Sequence, residues 1–140
     1  MHDDLGLRRA QRTHAALLAA GTAFVGFSAA HLIDEFLWGA PQEFHLQVGT
    51  TLVLALLFVT ALAGLLAGAA MRRPISVFGM GLIGTLIAIA DVSKHGPEIA
   101  MAGVWRSGPI SILLAAGLTS SAVLTGVMGF LVWRSLRVQR

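Results

Sequence analysis

A chain of 140 residues, 56% apolar and only 12% charged, is long enough for one domain. Soluble domains carry about 25% charged residues, and a chain this short has too much surface to stay in water with so few. Its net charge of +3 stands on basic residues at segment ends, not in a stripe interleaved with aromatics, which excludes nucleic-acid recognition; with no cysteine, disulfides and thiolate sites are excluded too.

Arg8, Arg9 and Arg12 lead into the first apolar segment. That segment is longer than the roughly 7–15 residues of a signal-peptide core, so it is expected to remain as a membrane helix. His2, Asp3 and Asp4 are expected to form a disordered tail. Four segments lack Asp, Glu, Lys and Arg: Thr13–Ile33, Phe44–Met71, Pro74–Ala90 and Ser107–Trp133. A spanning helix needs about 20 mostly apolar residues. Backbone polar groups facing lipid must bond within their own segment, which selects helix over open strand. The expected spans are 13–38, 42–71, 74–95 and 108–133.

Turn residues separate these spans. Gly39 suits the left-handed end of the first helix, and Pro41 suits the opening of the second, with Glu43 near its positive end. Arg72-Arg73-Pro74 forms the next turn. Gly96-Pro97 is expected to end the third helix, because proline disfavours helical geometry in the residue before it. Residues 98–106 are then a short connection, and Gly108-Pro109 opens the fourth helix. Trp38, Trp105 and Trp133 fall at expected membrane interfaces.

Charge sets the orientation. Arg8, Arg9, Arg12, Arg72, Arg73, Arg134, Arg137 and Arg140 fall on one side of a four-span chain, while Lys94 and Arg106 fall on the other. The positive-inside rule places both termini in the cytoplasm. The expected fold is therefore all-α: a polytopic plasma-membrane protein, one domain, a four-helix antiparallel bundle in the lipid bilayer.

Two features bear on function. The first is small residues at helical spacing: Gly64 and Gly68 as a GxxxG, then Gly117, Ser121 and Gly126. Such residues let helix backbones approach closely. They point to a small non-enzymatic accessory or assembly subunit, packing with its own copies or with other membrane subunits.

The second feature is polar. His31, Asp34 and Glu35 share one helix face, as do Asp91, Lys94 and His95. Both sets lie near the extracytoplasmic end of their helices. Ionisable groups in a span are favoured when they face inward and pair. One arrangement is a charge-paired cap in which Lys94 or Arg106 neutralises the acids. The alternative is a binding site made of His31, Asp34, Glu35, Asp91 and His95, flanked by His45, Lys94, Glu98 and Arg106. Imidazoles with carboxylates suit divalent zinc, iron or manganese. His31 and His95, at similar depth on separate helices, also have the ligand type of a haem site. A Ser28–His31–Asp34 relay has the residue types of hydrolytic chemistry but lacks an oxyanion hole. The remaining serines and threonines are expected to bond within their own helices.

Overall fold

The computed structural model describes the backbone of residues 2–38, 45, 47–102 and 108–138, with side chains for all of these except 2–5, 7 and 98–102. The expectations for Gly39, Pro41, Glu43, Trp105 and Arg106, and for the Glu98 side chain, fall outside the described residues.

The described residues form four helices: α1 (His2–Leu37), α2 (Val48–Ala70), α3 (Pro74–Ala102) and α4 (Pro109–Val138). Each is long and apolar enough to cross a membrane. At 1.5 Å per residue, the 36 residues of α1 reach about 54 Å, well beyond a hydrocarbon core of about 30 Å.

The boundaries correct the sequence reading in four places. α1 is helical from His2, where a disordered tail was expected. Extending an existing helix adds one hydrogen bond per residue fixed, without a new nucleation step. α2 begins at Val48, not at residue 42. Its N-cap, Gln47, is extended at φ −69° and ψ 136°, and its carbonyl accepts the Thr51 amide at 3.0 Å. His45, at φ 52°, is therefore outside the helix it was expected to open. α3 runs through Gly96-Pro97 to Ala102, with Pro97 inside the helix. The clash of a proline ring with the preceding residue falls partly on that residue's Cβ, which Gly96 lacks. α4 continues to Val138, past the expected end at 133.

The α2–α3 turn closes on its own backbone. The Arg73 amide donates to the Gly68 carbonyl (3.0 Å) and the Arg72 amide to the Ala69 carbonyl (2.9 Å). Arg72 takes the left-handed conformation, φ 55°. This is the Schellman pattern, with arginine where glycine is usual.

α1 packs on α2 and α4, and α3 packs on α2 and α4; the α3–α4 and α1–α4 seams are the most extensive. Leu17 and Phe24 from α1, Leu62 from α2, Val77 and Met80 from α3, and Leu118 and Ala122 from α4 form the core. Small residues draw the α3–α4 seam tight. A Cβ added at Gly84 would lie 2.7 Å from the Ala122 carbonyl oxygen, and one at Gly81 would lie 3.2 Å from the Phe130 nitrogen. α2 is the most peripheral helix: Leu62, Gly68 and Ala69 are its buried residues, while Leu52, Val53, Leu54, Leu56 and Leu57 are exposed.

Of the residues expected to mediate association, Gly68 faces Ser76, Gly117 faces Phe27 and Gly126 faces Thr85, all within the chain. Ser121 is buried and donates to the Gly117 carbonyl at 2.7 Å. Gly64 alone of the five is on an exposed face with open space around it.

Candidate metal centre

The C-terminal halves of α1 and α3 meet beside the N-terminal half of α4, and the polar residues singled out in the sequence converge there. His31 on α1 and Asp91 and His95 on α3 are 7%, 8% and 4% exposed. Asp91 Oδ1 stands between two imidazoles, 3.6 Å from His95 Nε2 and 3.9 Å from His31 Nε2. One potential ligand atom from each of the three lies within 4.8 Å of the others. The two rings meet edge to face, with centroids 5.3 Å apart and planes at 84°.

Helical periodicity explains the convergence. Asp91 and His95 are four residues apart, so they sit one turn above each other on the same face of α3. Facing inward at that level, they meet His31 of α1.

The carboxylates are held from behind. The Thr119 hydroxyl on α4 donates to Asp91 Oδ2, leaving Oδ1 toward the imidazoles. The Ser111 hydroxyl, also on α4, donates to Asp34 Oδ2. Asp34 thus reaches α4 through one of its oxygens. Glu35, also on α1, faces the cluster. Its Oε1 is 3.9 Å from His31 Nε2, and its Oε2 accepts from Lys94 Nζ at 3.1 Å.

Of the expected flanking residues, Lys94 is in place, and His45 is exposed and not part of the cluster. Ser111 and Thr119 are the carboxylate-holding side chains that the sequence reading missed. Both were expected to bond along their own helix, as Thr51, Thr85 and Ser121 do. The available signal was the four-residue recurrence of Ser111, Ala115 and Thr119, which marks a single face of α4.

A cleft of about 280 Å³ between α1, α2 and α3 opens onto the cluster, lined by His31, Glu35, Asp91, Lys94 and His95 together with apolar side chains such as Phe36. Comparison with protein families, curated proteins and solved structures finds no match to this chain. The chemistry of the site is therefore read from its geometry.

Two neutral imidazoles and a carboxylate are a donor set for a borderline divalent ion such as zinc, iron(II) or manganese. Tetrahedral bonds of about 2.0–2.1 Å place neighbouring ligand atoms about 3.3 Å apart. The two carboxylate–imidazole separations, 3.6 and 3.9 Å, are somewhat longer than that, and all three donor atoms lie within 4.8 Å of one another, so an ion would draw them together. Were Asp91 to ligate an ion, Thr119 would supply the outer hydrogen bond that orients its carboxylate. Haem fits less well, because imidazoles in edge contact leave no slot for a porphyrin between them.

Proposed function

We propose that this chain is a multi-pass membrane protein that binds one divalent transition-metal ion at His31, Asp91 and His95. The observation that carries this reading is the burial of all three residues together, drawn from two helices, with one donor atom of each within 4.8 Å of the others. Bringing ionisable groups into a membrane bundle is costly, and such residues face inward where they pair or bind. A lone histidine is easily accommodated by packing. Two histidines around one carboxylate, itself held from behind by a hydroxyl, match the layered construction of a metal site.

In this reading the four helices are antiparallel, both termini are cytoplasmic and the membrane is the plasma membrane. Basic residues at the two chain ends and at the α2–α3 turn support that orientation. The centre then lies near the extracytoplasmic end, within reach of ions outside the cell.

A second reading, the accessory or assembly subunit, draws on Gly64. It is open on the exposed face of α2, where another copy or another membrane subunit would pack. The two readings are separable. Elemental analysis and an absorption spectrum of gently solubilised protein, beside the His31→Ala/His95→Ala double variant, test the first. A near-stoichiometric metal lost in the variant supports the centre. A metal-free protein that gains none from added ions leaves the subunit reading, tested by loss of association in Gly64→Leu.

A further inference from the structure

We propose that Glu35 is the fourth ligand of this centre and that Lys94 is its tethered counter-ion, displaced when the metal arrives. The inference rests on the metal-binding reading above and extends it to how the site is kept and filled.

The geometry splits Glu35 between two tasks. Oε2 is held by Lys94 Nζ at 3.1 Å, while Oε1 is directed toward His31 Nε2 at 3.9 Å. That second distance equals the 3.9 Å from His31 to Asp91; Glu35 stands just outside the three residues whose donor atoms all lie within 4.8 Å of one another, so Oε1 swings inward to ligate. Glu35 and His31 are one helical turn apart on α1, as Asp91 and His95 are on α3. Each helix thus offers one carboxylate and one imidazole to the same cleft.

Charge favours the fourth ligand. With neutral imidazoles, a divalent ion on Asp91 alone keeps one net positive charge in a bundle surrounded by apolar side chains. Adding Glu35 brings the ligand set and ion to zero, the arrangement that a low-dielectric setting favours. Without the ion, two carboxylates share the cleft, and Lys94 offsets one of them.

The identity of the cation suits a displaceable role. Lys94 is the single lysine among ten basic residues, the other nine being arginine. An arginine fork would grip both carboxylate oxygens at once. An ammonium on a flexible four-carbon stem holds one oxygen and leaves the other presented. The Lys94 side chain is 40% exposed against 18% for Glu35, so the ammonium has solvent to move into while the carboxylate stays. Salt bridges with that much exposure are weak, which lets a coordinate bond to the metal replace this one.

The same feature supplies the test. An amine-selective acylating reagent followed by peptide mapping reads Lys94 apart from the amino terminus. Full-length protein in detergent is compared as wild type, Glu35→Gln and Lys94→Gln, with zinc as the probe ion and a competing chromophoric chelator reporting affinity. The expected results are zinc binding at least tenfold weaker in Glu35→Gln and several-fold tighter in Lys94→Gln. Acylation of Lys94 in wild type is expected to speed up on adding zinc. In Glu35→Gln it is expected to be fast with or without zinc.

Equal zinc affinity in wild type and Glu35→Gln would overturn the proposal and leave the three-residue centre standing, as would Lys94 acylation indifferent to zinc. Wild type that binds no zinc would overturn the centre and this proposal together. Should Glu35→Gln fail to fold, the affinity of Lys94→Gln and the acylation of wild type still decide the matter.

Discussion

The Thr119 hydroxyl on α4 donates to one carboxylate oxygen of Asp91 on α3, and the other oxygen of Asp91 faces His95 Nε2 at 3.6 Å. One hydrogen bond from an uncharged hydroxyl therefore fixes which oxygen is presented to the cluster. Thr119→Val keeps the shape and removes the donor. Leaving a buried acceptor unsatisfied costs about 1–3 kcal/mol, and losing an orienting partner typically weakens metal affinity about 10–100-fold. Thermal unfolding in detergent and zinc competition measure the two effects. Thr119→Ser retains the hydroxyl and is expected to stay close to wild type.

Arg72 sits in the left-handed region at φ 55°, where a Cβ is strained by about 1–2 kcal/mol relative to glycine. Arg72→Gly is expected to raise the melting temperature through this local relief. The strained arginine is consistent with a topological role for the charge at this turn. Orientation should survive the single change, since Arg73 and the basic residues at the chain ends remain.

Gly84 and Gly64 are predicted to respond in opposite ways to alanine. A Cβ at Gly84 meets backbone of α4, 2.7 Å from the Ala122 oxygen and 2.9 Å from the Gly126 nitrogen. Overpacking of this kind costs about 1–3 kcal/mol, so Gly84→Ala should melt earlier. A Cβ at Gly64 meets nothing within 4 Å, so Gly64→Ala should gain roughly 0.5–1 kcal/mol of helix propensity. Paired melting curves decide this.

Reporter fusions test the orientation. Fusions after residue 140 and within the Arg72-Arg73 turn should report the cytoplasm, and a fusion at residue 42 should report the outside. An extracytoplasmic C-terminus would place the His31–Asp91–His95 cluster on the opposite side of the membrane.

The helices were legible because long charge-free runs leave helix as the only conformation that satisfies the backbone in lipid. The convergence of His31, Asp91 and His95 was legible from spacing and depth. Which of Asp34 and Glu35 accepts from Ser111 and which from Lys94 was not. Adjacent residues differ by about 100° around a helix, and the rotation of α1 against its neighbours is set by packing contacts such as Phe27 on Gly117. Thr119 and Ser111 were missed for the same reason, since a hydroxyl finds a distant carboxylate or its own helix according to which helix faces it. At Pro97 the sequence rule gave the wrong stop, because it weighs the proline and overlooks the glycine before it.

The most direct test of the central claim is a titration of the purified wild-type protein with zinc or manganese, followed by X-ray absorption at the metal edge. The account predicts about one ion per chain with imidazole in its first shell, and loss of that ion in the His31→Ala/His95→Ala variant. An ion bound equally well by the double variant, or no bound ion at all, would contradict it and return the cluster to a hydrogen-bonded, charge-paired end of the bundle.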